Sequence, residues 1–513
     1  MTDPAGRPGR RGPAVRRAVG SFIVAALLAA APACSGNGNG NGNGTDGGPS
    51  GGGPAPDATG ATTGTGGGGS AEPGGPDGAA APGGSGSTIA GPTPADDVWD
   101  VPDRAVPGLG DPRIDVHHYD VTLRADPGED DIAGHAIVAL AARTAEPLAS
   151  FTLDLRGPTV RSVSVGGEPA EADHRGDQVV ITPTTPLEPG ELTTVELTYA
   201  GHPELGELMG LGIDTGLQHD DRGGWFAMSQ PDGTRTWMPA NDHPSDKATW
   251  RITLDTPAEV VGVANGRLHS SDRRGDRRRW VWEMDQPMAT YLAVVAIGDY
   301  DLVERDGPYG TRVVSAFPRD LDDDVRASFD RLDDLVVRFA EIYGAYPDDD
   351  LGVIVVPTNL GVALETQTRP LFGLDSAGDE VILAHELAHL WAGDSVTPAS
   401  WEHLWLSEGF ATFASGDVRP PFGGTSVAVA SPDAARAMGD ALYRGGATAL
   451  LALRDEVGDE RFDAILLAWF DRFGGATATT EDFVDLAEEL TATDLTDWAT
   501  TWLHEPQPTY QGG

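Results

Sequence analysis

A chain of 513 residues, 39% of them hydrophobic, is long enough for two or three domains and apolar enough to build sizeable cores. Its formal charge of −44 would repel a polyanion, which excludes nucleic acid as a partner. Cys34 is the only cysteine, so no disulfide framework is available, and Lys247 is the only lysine.

At the start of the chain, Arg7, Arg10, Arg11, Arg16 and Arg17 precede an apolar run from Phe22 to Ala31 that is too short for a permanent transmembrane helix. This pattern predicts a secretory signal peptide over residues 1–34, with Cys34 where bacterial lipoproteins carry their lipidated residue. The expected location is therefore extracytoplasmic, anchored to the cell membrane through a lipidated Cys34. A cleaved, secreted form is the alternative, because Ala31-Pro32-Ala33 lacks the usual leucine, and Arg16-Arg17 leaves a twin-arginine route open. Residues 35–98 are Gly, Asn, Ser, Thr and Pro with almost no large apolar side chain, a composition expected to stay a disordered tether.

From 99 to 302, apolar residues alternate in short runs such as Tyr119, Val121, Leu123 and Val195, Leu197, Tyr199, separated by turn signals such as Pro189-Gly190. The expectation is an antiparallel β-sandwich domain. His117 and His118 are expected at a strand end and not as ligands. The arginines between Arg273 and Arg279 suit a solvated hairpin tip, and the turn-rich stretch from Met228 to Lys247 has the composition of a surface loop.

From 303 to 513 the pattern changes to an α+β lobe. Val325, Phe329, Leu332, Val336, Phe339 and Tyr343 follow helical spacing, with Asp322 to Asp324 placed to cap the helix start. A β-branched strand is expected over Leu351 to Val356, and amphipathic helices from 433 to about 503.

Between them lies the stretch that carries chemistry, residues 381–413. His385 and His389 stand at i and i+4, so both imidazoles leave one face of a helix and can hold one ion. Zinc in a hydrolase takes three protein ligands, and Glu408 fits the third place. It shares a helical face with Trp401, Leu404 and Trp405, and a carboxylate on a buried stripe needs a partner. The same arithmetic points Glu402 and His403 toward solvent. Glu386 sits about 100° round the helix from its neighbour, where it serves as general base without binding the metal. Gly393 and Pro398 let the second helix fold back on the first. A metzincin is excluded, since Ala392 and Ser395 stand where that class needs Gly and His.

The chain resembles the zinc aminopeptidases typified by aminopeptidase N, which belong to the gluzincin metallopeptidases. The resemblance rests on His385-Glu386 and His389, followed after eighteen residues by Glu408 in the run Trp405-Leu406-Ser407-Glu408-Gly409-Phe410-Ala411. It extends to Val362-Ala363-Leu364-Glu365-Thr366, to Tyr443 before Arg444-Gly445, and to Ser229-Gln230 and Met238 through Pro244. It implies a saddle-like N-terminal β-domain, a thermolysin-like catalytic domain and one Zn2+. It also implies that Glu365 binds the free α-amine of a peptide, that Gln230 and Ala363 line the substrate, and that Tyr443 stabilises the oxyanion. Asp232 is the position implied for a second amine-binding carboxylate. The implied form is the short, two-domain one without the helical C-terminal domain of longer relatives, hence with a more open cleft. The expected activity is removal of N-terminal amino acids from peptides. A zinc endopeptidase and an inactive surface peptide-binding protein on the same scaffold are the alternatives.

Overall fold

Alternation along the strand Ile114–Arg124 buries Ile114 and Val116, then Tyr119, Val121 and Leu123. The step of three between Val116 and Tyr119 marks a β-bulge, where the register against the neighbouring strand shifts between Val116 and His118. His117 and His118 thus lie inside a strand at a bulge, not at its end. The computed structural model describes residues 103–512 apart from 417 and 419, so the expected signal segment, Cys34 and the tether lie outside the described residues.

An eight-stranded sheet runs in the order Arg267–Arg274, Arg277–Met288, Ala248–Pro257, Ile114–Arg124, Ile132–Ala142, Thr193–Gly201, Thr159–Val165, Glu168–Pro169. Its pairings are antiparallel except between Ile114–Arg124 and Ala248–Pro257, which run parallel. The sheet is therefore mixed and not wholly antiparallel as the alternation suggested. Parallel neighbours need a long crossover, and here the chain completes most of the domain between the two strands. A five-stranded sheet that includes Trp225–Met228, Val261–Ala264 and Val295–Gly298 is buried along those three strands.

The strand Tyr300–Asp306 already pairs with Arg312–Pro318 in the sheet of the second lobe, so a division at 302/303 runs through it. The helical pattern after it resolves into α1 (Asp323–Ser328), a 3-10 turn Phe329–Arg331 and α2 (Leu332–Tyr343). Asp322 caps α1 by accepting from Asp324 N at 2.9 Å. The expected strand from 351 to 356 is split into Asp350–Leu351 and Ile354–Val355, and between them only glycine fits at 352, where a Cβ would stand 2.0 Å from the Val314 carbonyl oxygen.

The stretch expected as a surface loop is instead buried almost throughout from residue 228 to 246. A buried loop survives only if its backbone and side-chain polar groups find partners inside. Asp154 accepts from Gly110 N at 2.9 Å and Asp242 N at 3.1 Å, Asn241 Nδ2 donates to Asp246 at 2.6 Å, and Asp246 accepts from Val116 N at 3.1 Å at the bulge.

Asp154, Asp242 and Asp246 are at most 1% exposed, and burial pushes their carboxyls up to about 6, about 7 and about 7. A folded-state pKa raised above the unfolded value gives stability that is lost as pH rises through the shifted range. His243, lowered to about 3 by burial, and Lys247, lowered to about 7, oppose this in part. The metal-free protein is therefore expected to be more stable at about pH 5.5 than at about pH 7.5, by on the order of 2 to 3 kcal/mol. Calorimetry in high salt, which screens surface repulsion, checks this; an equal or lower melting temperature at the acid pH would contradict it.

Candidate metal centre

The helix α3 (Glu380–Ala388) starts at Asp379, whose carboxylate accepts from Val381 N at 2.8 Å and Ile382 N at 3.1 Å. Buried Ile382, Leu383, Leu387 and Ala388 fix the helix in the core, with His385 one turn before His389, which ends the helix. Glu408 comes from α4 (Trp405–Ser415), which begins after a 3-10 turn over Trp401–His403. The Nε2 atoms of His385 and His389 are 3.1 Å apart, and Glu408 Oε2 lies 3.2 Å and 3.3 Å from them. Among the described residues these three side chains form the group whose ligand atoms converge tightly enough for one ion.

The second histidine is fixed from behind. His389 Nδ1 lies 2.9 Å from the Ala392 carbonyl oxygen and 2.9 Å from Ser407 Oγ. The carbonyl requires a hydrogen on Nδ1, which leaves the Nε2 lone pair facing Glu408. Gly393 makes room for this, since a Cβ there would stand 2.3 Å from Ser407 Oγ and its φ is +115°. Ser407 was not singled out in the sequence, where only its place beside Glu408 could have marked it.

Burial alone would raise the Glu408 carboxyl, but the charge of His389 and the bonds to both imidazoles hold it down at about 2. Glu408 in turn outweighs the burial of His389 and raises it to about 10. Glu386, 5% exposed, is pushed well above the usual carboxylate range by burial, with His389 pulling it down and Glu365 and Glu408 raising it further. A cation would displace the second proton of His389, and two imidazole nitrogens with a carboxylate oxygen, beside further buried acids, then suit a small divalent ion.

Four further residues expected at the site reach the same cleft. Glu365 is 4% exposed and accepts from Gln230 Nε2 at 2.7 Å. Ala363 lies on the edge strand Ala363–Leu364. Tyr443 opens the helix Tyr443–Val457, its ring centroid 5.9 Å from that of His385. The cleft also takes Thr412 from α4 and, from loops and turns distant in sequence, Leu208, Leu211 and Met438.

Three expectations are corrected. Asp232 does not line the cleft; it is paired with Arg235 and with Arg156 at 3.1 Å. His403 is not solvated but half-buried, its Nδ1 2.9 Å from Thr480 Oγ1, and Glu402 pairs with Arg104. The 3-10 turn changes the angular step on which the solvent-facing assignment relied. Nearby, Arg369 is fully buried, donating to Val314 O at 2.9 Å and Ala264 O at 3.0 Å, and stacks over Trp282.

The Peptidase M1 N-terminal domain model matches residues 116–292, and the Peptidase family M1 domain model matches residues 374–425. A mutant two-domain M1 zinc metallopeptidase bound to L-arginine superposes with a TM-score of 0.74 at 28% identity, covering 80% of this chain and 99% of that one. Both domains of the M1 metallopeptidases thus have matches in this chain. A second M1 zinc metallopeptidase structure, from Deinococcus radiodurans with a Tyr-Ser-Ala substrate, gives 0.73 at 28% identity, over 80% of this chain and 99% of that one. Among curated relatives, Aminopeptidase M1-A of Oryza sativa subsp. japonica is 29% identical over 301 residues, 51% of this chain and 34% of its own length. Leucine aminopeptidase 2 of Yarrowia lipolytica is 26% identical over 423 residues, 73% of this chain and 63% of its own. The match thus spans about a third of the rice relative. The described residues resemble the two-domain form of these metallopeptidases.

Tyr443 and Glu408 are brought together by a close helix crossing, where a Cβ on either Gly409 or Gly446 would stand 2.7 Å from the other's Cα. Gly446→Ala is expected to destabilise by about 1 to 3 kcal/mol, as overpacking does. Denaturant unfolding measures it; an unchanged midpoint would show that the two helices separate freely.

Proposed function

We propose that the protein is a zinc aminopeptidase that removes single residues from the free N-terminus of peptides. The observation that carries this reading is the buried Glu365 carboxylate, held by Gln230 in the same cleft as His385, His389 and Glu408. A buried carboxylate open to a cleft is a site for a cation, and the ammonium of a peptide N-terminus supplies one. Fixing that ammonium at Glu365 places the bond one residue in beside the metal centre, which makes the enzyme an exopeptidase.

His385, His389 and Glu408 would hold Zn2+, which when bound lowers the pKa of water and polarises a carbonyl. Glu386 accepts the proton of the attacking water and delivers it to the leaving amine. Burial raises its affinity for that proton, which favours the first half of the transfer. The Tyr443 hydroxyl is kept protonated by burial and by Glu408, Glu365 and Glu386 in turn, so it remains a donor to the substrate carbonyl oxygen as negative charge grows there. Ala363 on the edge strand leaves an unpaired strand face for the peptide backbone. Leu208, Leu211, Val362 and Met438 favour an apolar first side chain.

A panel of aminoacyl amides beside their N-acetylated counterparts tests the reading. Cleavage is expected for the free amines alone, best with large apolar first residues, and should be lost with a zinc chelator. Glu386→Gln is expected to lose about 10²- to 10⁴-fold in kcat while still binding one zinc by elemental analysis. Cleavage of the blocked substrates would establish an endopeptidase. No turnover by the zinc-loaded protein would leave a peptide-binding scaffold.

On the sequence pattern alone, the enzyme is further proposed to act outside the cytoplasm, tethered to the membrane through a lipidated Cys34. Cys34→Ala is then expected to move activity from the membrane fraction to the medium; unaltered fractionation would remove the anchor.

A further inference from the structure

A second cavity, of about 740 Å³, lies beyond the metal helix and shares no lining residue with the catalytic cleft. Gln286 and Pro287 reach it from the first domain, and Asp348, Gln367 and Ser395 from the second. Asp348 is 5% exposed and Gln367 2%, yet neither oxygen of the Asp348 carboxylate nor Gln367 Oε1 has a hydrogen-bond partner on the protein. Behind this wall Asp394 is 0% exposed, and both its carboxylate oxygens are likewise without partners. Apart from the pull of the Gln367 side chain on Asp348, five buried oxygens on three neighbouring side chains therefore lack donors.

The nearby positive charge does not resolve this. Lys247 donates its Nζ to the backbone carbonyls of Asp394 and Ser395, each at 2.8 Å, and forms no ion pair with either carboxylate. Two buried carboxylates thus face one ammonium that is committed to amide oxygens. Burial pushes the Asp348 carboxyl up to about 7, even with Gln367 and Lys247 drawing it down, and lowers Lys247 to about 7. Removing charges from water without a partner costs several kcal/mol each, and two of these oxygen-bearing side chains open into a space large enough for an ion with its waters.

We propose that this cavity is a second cation site, taking a hard divalent ion of the Ca2+ class on the Asp348 carboxylate and Gln367 Oε1, with Asp394 as the second negative charge. The donor set is oxygen alone, which selects against zinc and other soft metals. Calcium accepts six to eight oxygens, and water completes a shell in which the protein supplies few. Sites with so few protein ligands bind at about 10⁻⁴ to 10⁻³ M. Asp394 and Ser395 belong to the turn after α3 that also carries Ala392, whose carbonyl orients His389. The ion would therefore brace that turn against the first domain without touching the catalytic cleft.

Thermal unfolding of the full, zinc-loaded chain tests the site, with CaCl2 titrated at constant ionic strength against choline chloride. Wild type is expected to show a saturable rise of several degrees. Asp348→Asn is expected to lose that rise and to melt above wild type when calcium is left out, since it removes a buried charge. An equal rise in wild type and variant would assign the effect to the acidic surface and overturn the proposal. A response to NaCl but not to CaCl2 would overturn the divalent assignment. Should the variant not fold, calorimetric titration of wild type with CaCl2 decides: one saturable ion per chain supports the site, and only non-saturating uptake overturns it.

Discussion

Three carboxylates, Glu365, Glu386 and Glu408, are each at most 5% exposed and line one cleft. Like charges at that depth are unstable unless cations answer them, and the penalty of leaving one uncompensated is several kcal/mol. The structure answers with geometry. Two imidazoles meet Glu408, an amide from the first domain meets Glu365, and Glu386 is left next to the metal ligands with its proton affinity raised. Each acid then has a separate task open to it: holding a metal, holding a substrate ammonium, or moving a proton. The rest of the second lobe serves to keep these three environments distinct.

Three contacts between residues distant in sequence maintain that arrangement. The glycine crossing at Gly409 and Gly446 sets Tyr443 over the metal ligands. The buried segment around Gln230 carries the first domain into the cleft wall, and Arg369 ties the two lobes through carbonyls of Ala264 and Val314. The first domain is thus part of the active cleft and not an appendage to it.

The metal ligands were legible in the sequence because their placement follows from short-range helical geometry. His385 and His389 need only a regular turn, and Glu408 needs only an apolar face around it. The strand alternation and the capping of α1 by Asp322 were readable for the same reason. Glu365 and Tyr443 were legible only through the family resemblance, since neither stands in a pattern whose spacing alone indicates chemistry. What stayed hidden depends on distant partners. The bulge beside His117 depends on Asp246, more than a hundred residues away, and the burial of the 228–246 segment depends on Asp154. His403 was misplaced because one 3-10 turn rotates a residue away from its expected face. The parallel strand pair was invisible because alternation reports which face is buried and not which way a neighbour runs.

Lys247 gives the folded protein an unusual chemical surface. It supplies the only side-chain ammonium in 513 residues, and that ammonium is half-buried and bonded to two carbonyls at the junction of the lobes. Arginine carries the remaining cationic side chains. An amine-acylating or crosslinking reagent therefore meets no freely exposed lysine on the folded domains, and side-chain acylation by such a reagent becomes a direct report that the junction has opened.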